Sequence, residues 1–184
     1  KSWEEKLEKI IEETLNSDLR LIGGIPPWVI MYFQKVLEKS NQKSIPKVFP
    51  NLSLYVHGGV NFKPYKNTLE KLLPGVDFLE YYPASEGFIG YQDDITKNEL
   101  LLLTNHGIFY EFIDSQDFIN GNYNRLSLDE VVLGKNYVLI LNTCSGLWSY
   151  NIGDTIMFVN LNPYKIIITG RVKHYISAFG EHVI

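Results

Sequence analysis

The feature that most limits what this chain can fold into is a change of apolar rhythm at Asp93-Asp94. Before it, helical and strand spacing alternate. Trp3, Leu7, Ile10, Ile11 and Leu15 recur at helical intervals, and after the turn "GGIPP" a second helical stripe carries Trp28, Met31, Tyr32, Val36 and Leu37. A short apolar run, Leu52 to Val56, follows and ends in "HGG"; a helix is predicted from about Tyr65 to Leu73, and a strand from Val76 to Tyr82. Alternation of this kind predicts a mostly parallel sheet with flanking helices. After Tyr91 the apolar runs are short and β-like: "ELLLL", "GIFYEFI", "NYVLILNT", "DTIMFV" and "YKIIITG", separated by Asn, Gly, Asp and Pro. They predict an antiparallel, β-rich portion, a sheet or distorted barrel. The fold class read from the sequence is therefore α/β, with lobes at 1–92 and 93–170 and a terminal segment at 171–184.

Composition narrows the function classes. With 184 residues, 45% of them hydrophobic, the chain can bury a core as one domain or as two small lobes. A net charge of −4, a pI near 5.6 and the lack of clustered Lys and Arg remove the footprint that nucleic acid or an anionic membrane requires. No apolar run reaches the ~18 residues of a membrane span. The single cysteine, Cys144, rules out an internal disulfide and a cysteine-based zinc site, in keeping with a reducing cytoplasm. The four histidines lack close ligand spacing, and Cys144 in "NTCSGLW" reads as a small core or turn thiol rather than a nucleophile. The chain opens on Lys1 inside a helical pattern and stops at Ile184 directly after an apolar segment, which reads as a piece of a longer protein.

Four places could carry chemistry, and each has a plainer reading beside it. In "EYYPASEGFIGYQ", Glu86 falls in a turn at the carboxyl end of a buried strand, the edge where open α/β sheets bind ligands; the alternative is a solvated turn residue. In "VHGGV", Gly58 and Gly59 would let backbone approach a flat ring or a phosphate, or simply make a turn. In "SYNIGDTI", Asp154 follows a glycine at the predicted head of a strand, where a partly exposed carboxylate can accept two hydrogen bonds from a diol or sit idle in a hairpin. In "ITGRVKH", Arg171 follows a β run and a glycine, with Lys173 and His174 after it. This is either a rigid donor beside a hinge or a solvated basic turn.

Taken in order, these blocks resemble the acyl-acid amido synthetases of the auxin-responsive family, within the adenylate-forming superfamily, and most closely a bacterial-type member. "GGIPPW" resembles the family's Gly-x-Pro-x-Trp, "PNLSLYVHGGVNFKPY" its His-Gly-Gly segment and "YYPASEGFIGYQDD" its Tyr-x-Ala-Ser-Glu motif. "GIFYEFI" and "GLWSYNIGDTI" are similar to two further blocks, and "ITGRVKHYISAFGEHVI" to the approach to the hinge. The resemblance implies an enzyme that uses ATP and Mg²⁺ to convert a small carboxylic acid to its acyl-adenylate, then passes the acyl group to an amine, commonly an amino acid. It implies catalytic roles for Glu86, as the Mg²⁺ ligand, and for Ser85, near the phosphates or the acyl carboxylate. Gly58 and Gly59 would lie along the adenine, Tyr82 would stack near it, and Asp154 and Arg171 would hold the ribose.

Departures from the family pattern shape the expectation. Pro83 takes a position where Asn or a small residue is usual, and Ser149 and Asn151 stand where arginines are frequent. No Ser/Thr/Gly-rich phosphate loop occurs, and no carboxyl-terminal domain follows. The piece alone is expected to be inactive, with a coenzyme A ligase of the same superfamily and a non-catalytic nucleotide-binding or scaffold domain as the competing readings.

Overall fold

The computed structural model describes residues 2–172, 176–178 and 181–183. The chain divides into two compact units, Lys1–Tyr81 and Tyr82–Ile184.

In the first unit, α1 (Trp3–Thr14) starts at a reciprocal cap. The Ser2 hydroxyl accepts from the Glu5 N–H, and the Glu5 carboxylate accepts from the Ser2 N–H. Leu7 and Ile11 turn its apolar stripe inward, while Trp3 and Ile10 stay exposed. The short strand β1 (Leu21–Gly23) leads into α2 (Pro26–Ser40), whose first turn is preset by Pro26 and Pro27 and which ends at Asn41 in the left-handed conformation. After the single turn α3 (Ile45–Val48) come β2 (Leu54–His57), α4 (Lys66–Leu72) and β3 (Asp77–Ala84). Strands β1, β2 and β3 pair in parallel, in that order, as the alternating rhythm predicts. The core gathers Leu7, Ile11, Phe33, Val36, Ile45, Tyr55, Leu69 and Leu73.

Strand β3 runs on through Pro83 to Ala84, two residues past the predicted end at Tyr82, and the chain reverses at Ser85-Glu86 into β4 (Gly87–Tyr91). Proline fixes φ at a value compatible with extended backbone and removes only one ladder donor. Strand β1 and the short helices Ile45–Val48 and Ser115–Ile119 carry too few residues to show a period, and the sequence pattern does not predict them.

The second unit continues with β5 (Leu100–Leu102), β6 (Ile108–Asp114), α5 (Ser115–Ile119), β7 (Asn136–Thr143), β8 (Tyr150–Leu161) and β9 (Tyr164–Arg171). They pair antiparallel in the order β4-β5-β9-β8-β7-β6. The sheet curls until its ends meet through side chains. The Tyr110 hydroxyl of β6 donates to the Ile89 carbonyl of β4 at 3.5 Å, and a Cβ on Gly87 of β4 would sit 2.6 Å from Ile108 Cδ1. The curl encloses a core of Tyr82, Ile89, Leu100, Phe112, Tyr137, Leu139, Ile156, Phe158 and Ile166. Gly90 admits a neighbouring strand: a Cβ there would meet the Leu101 carbonyl oxygen at 2.7 Å. A two-stranded ribbon, β10 (Ile176–Ala178) with β11 (Glu181–Val183), follows. Among the described residues no helix is long and apolar enough to cross a membrane.

Candidate active site

In the second unit a buried carboxylate organises the site. Asp154 is not at the head of a strand, as the sequence suggested, but the fifth residue of β8, and it is 9% exposed rather than partly open to solvent. A local irregularity aims it. The β7–β8 pairing passes from Val138↔Thr155 to Ile140↔Asn151, so extra residues of β8 bulge between those pairs. Gly153 takes φ +86 there, and its N–H is held by the Asn151 side chain at 2.8 Å. On the other side β8 pairs with β9, with Asp154 directly opposite Arg171.

Both carboxylate oxygens of Asp154 are engaged. Tyr82 Oη donates to Oδ2 at 2.5 Å, and Arg171 Nε donates to Oδ1 at 2.5 Å. The two donors differ in mobility, because Tyr82 is 5% exposed within the core whereas the Arg171 side chain keeps 31% of its surface. Burial, then the Asp154 charge and the bond to it, push the Tyr82 phenol well above its usual range, so it is a permanent donor. The structure thus joins three of the residues singled out in the sequence. Tyr82 meets the group through its hydroxyl, a connection that a strand pattern cannot reveal.

Ser85 and Glu86 form the turn between β3 and β4, three and four residues beyond Tyr82. Ser85 is exposed and Glu86 half-buried. No hydrogen bond or ion pair within the described residues engages the Glu86 carboxylate. The described residues also contain no cluster of three or more His, Cys, Asp or Glu able to hold a metal by themselves. A single uncommitted carboxylate fits Mg²⁺, which binds through one or two carboxylates and fills its other positions with phosphate oxygens and water.

The residues that depart from the family pattern are committed locally. Pro83 lies inside β3, and Ser149, at φ +53, donates its N–H to Asn142 Oδ1 at 2.8 Å. Asn142 is held in turn by Glu111, which also pairs with Arg125. Cys144 is an exposed thiol in the turn after β7. Lys173 and His174 lie outside the described residues.

Gly58 and Gly59 belong to the first unit, at the carboxyl end of β2. Gly58 is buried, and Gly59 takes φ +79, with room for a Cβ only 3.2 Å from Ile25 Cγ2. The histidine before them, which the sequence reading set aside, is unusual. His57 is 2% exposed, its ring stacks on Phe62 at 3.8 Å, and its buried Nδ1 has no hydrogen-bond partner among the described residues. Burial lowers its pKa to about 4, so it is neutral at physiological pH. Glu80 of β3 is its register partner, and burial raises that carboxyl.

Comparison with known proteins gives a consistent answer. The GH3 family N-terminal domain profile matches residues 1–78, and the GH3 family central domain profile matches 101–171. A jasmonoyl–L-amino acid synthetase of Nicotiana attenuata, JAR4, is 28% identical over 173 residues, which is 84% of this chain and 30% of that protein. Among solved structures, the acyl acid amido synthetase AtGH3.15 in complex with 2,4-DB superposes with a TM-score of 0.60 at 19% identity, covering 75% of this chain and 24% of that one. A 2-hydroxyisobutyryl-CoA ligase in complex with 2-HIB-AMP and CoA, in the thioesterification state, superposes with a TM-score of 0.72 at 15% identity, covering 97% and 38%. At those identities the superpositions establish the fold alone. The chain spans under a third of the length of the curated relatives it matches.

Proposed function

Because the chain belongs to the GH3 family, we propose that it supplies the nucleotide- and metal-binding part of an ATP-dependent ligase that adenylates a small carboxylic acid and joins it to an amine of the amino-acid class. The observation that carries this reading is the buried Asp154 carboxylate held between Tyr82 and Arg171, in the same unit as the uncommitted Glu86. In the reading, Asp154 and Arg171 hold the ribose, Gly58 and Gly59 lie along the adenine, and Ser85 stands by the phosphates or the acyl carboxylate. Tyr82 adjoins the nucleoside.

Glu86 would hold Mg²⁺, which when bound neutralises phosphate charge. The protein's own contribution is orientation. Asp154 and Arg171 fix the sugar, the glycines admit the base, and the acid's carboxylate is brought in line with the α-phosphate, so that encounter and alignment no longer contribute to the barrier. The carboxylate attacks phosphorus and pyrophosphate leaves; an amine then attacks the acyl carbon and AMP leaves. One exposed, unpaired cysteine suits a reducing cytoplasm.

The likeness to a coenzyme A ligase concerns the fold alone, and the two GH3 domain profiles support the choice of an amine acceptor over a thiol. The test is acid-dependent pyrophosphate release by the full-length protein, followed by a comparison of amino acids and coenzyme A as acceptors. Release followed by amide formation is expected. Release followed only by thioester would replace the acceptor, and no release with any acid would leave a non-catalytic domain. The residues present here are expected to be inactive on their own.

A further inference from the structure

Four aromatic rings of the first unit touch one another in a closed circuit at the point where the chain leaves β2. Tyr55 and His57 stand two residues apart on β2, and Phe78 of β3 is the register partner of Tyr55. The fourth ring, Phe62, belongs to the loop between β2 and α4. Ring centroids are 5.6 Å apart for Tyr55 and His57, 3.8 Å for His57 and Phe62, 5.7 Å for Phe62 and Phe78, and 5.8 Å for Phe78 and Tyr55. Three of the rings are carried by the sheet, so the fourth fastens the loop to it.

What the circuit encloses is the glycine pair. The His57 and Phe62 rings lie 14° from parallel and bridge residues 58–61, two of which, Gly58 and Gly59, have the widest choice of backbone conformation. Beyond the stack the Phe62 carbonyl accepts from the N–H groups of Tyr65 and Lys66 as α4 begins. On the other side the Tyr55 hydroxyl donates to the Gly24 carbonyl at 2.9 Å, and the next residue, Ile25, is the one whose Cγ2 would meet a Cβ on Gly59 at 3.2 Å. The rings thus fix both the path of the glycines and the wall beside them. His57 Nδ1 has no hydrogen-bond partner among the described residues, so what this side chain contributes to the unit is the face of its ring.

We propose that the His57–Phe62 stack is a clasp and His57 a positioning residue: the two rings hold the Gly58–Gly59 backbone in its binding shape before the nucleotide arrives, so that binding does not have to order it. The imidazole works through its flat face, not through proton transfer or a hydrogen bond. This inference rests on the reading of Gly58 and Gly59 as the adenine contact.

The test is calorimetry with AMP on the full-length protein, for the wild type, His57→Phe, His57→Leu, Phe62→Leu, the double leucine variant and Val36→Ala, a core substitution elsewhere in the same unit. His57→Phe keeps the stack and binds AMP within about twofold of the wild type. His57→Leu and Phe62→Leu each weaken AMP about tenfold, because the glycines must then be ordered on binding. The double variant weakens it little further, since either change opens the same clasp. Val36→Ala lowers the urea midpoint yet binds AMP as the wild type does. A loss in His57→Phe equal to that in His57→Leu overturns the proposal, because it makes Nδ1 the working part. So do additive losses in the double variant, an equal loss in Val36→Ala, or wild-type affinity in Phe62→Leu, whose half-buried place in a loop leaves the core intact. Absence of AMP binding by the wild type would instead remove the nucleotide reading, and this inference with it, whereas AMP binding that ignores the stack removes the inference alone.

Discussion

His57 ties the stability of the first unit to pH in a calculable way. Its ring is enclosed, stacked on Phe62 and, among the described residues, without a hydrogen-bond partner at Nδ1, and burial lowers its pKa from 6.5 to about 4 on folding. The folded state therefore prefers the neutral ring, and the unfolded chain binds the extra proton as pH drops below 6.5. Stability is fully present above the unfolded pKa and is lost as pH falls toward the folded one. A gap of 2.5 units between these values corresponds to about 3.4 kcal/mol once pH is below 4, and to about 2 kcal/mol at pH 5. His57→Phe keeps an aromatic ring beside Phe62 and cannot titrate. Urea unfolding of both proteins from pH 7.5 to 4.5 gives a stability difference in which carboxylates titrating in both, Glu80 included, cancel to first order. Any packing penalty from the larger ring is independent of pH and shifts the whole curve. The difference should move in favour of the variant by about 2 kcal/mol between pH 7.5 and 5. A difference constant within about 0.5 kcal/mol over that span would refute the argument that burial holds this ring neutral.

Three further outcomes are expected. Asp154→Ala leaves the Tyr82 phenol buried without an acceptor, so thermal or urea unfolding should show a loss of about 2–3 kcal/mol, against about 1 kcal/mol for Asp154→Asn, which keeps an acceptor oxygen; equal, negligible losses would mean that the Tyr82 bond does not form. Gly90→Ala places a methyl 2.7 Å from the Leu101 carbonyl oxygen, whereas Gly87→Ala meets only the movable end of Ile108. The first should cost about 2–3 kcal/mol and the second clearly less, read as urea midpoints. Glu86→Gln preserves the turn but gives up the charged oxygen ligand. In the full-length protein, acid-dependent pyrophosphate release at limiting Mg²⁺ should fall roughly tenfold or more while unfolding stays unchanged; equal activity would return Glu86 to a solvated turn.

The order of the elements was legible because it is written in periodicity. The stripes of α1 and α2, the helix after "HGG" and the five β runs beyond Asp93-Asp94 each repeat often enough to reveal their type. What escaped depends on contacts distant in sequence. The bulge that drives Asp154 inward arises from a register change against β7, and only Gly153 hinted at it. The bond from Tyr82 to Asp154 spans 72 positions, so neither residue advertised the other. His57 was passed over for a related reason: its isolation is a property of the Phe62 and Tyr55 rings that enclose it, and spacing between histidines carries no trace of that.

The double proline that opens α2 also settles how this helix meets dissolved ions. A helix start ordinarily attracts anions because its first N–H groups point outward with no acceptor. Here Pro26 and Pro27 have no N–H, and those of Trp28 and Val29 are both directed to the Ile25 carbonyl. The positive pole of a 15-residue helix is thereby stripped of the groups through which it would grip sulfate or phosphate. Specific-ion effects on the first unit, seen as a melting shift with sulfate beyond that given by chloride at equal ionic strength, should not originate at α2. The start of this helix is chemically quiet ground, better suited to lie against an uncharged surface than to anchor a charged one.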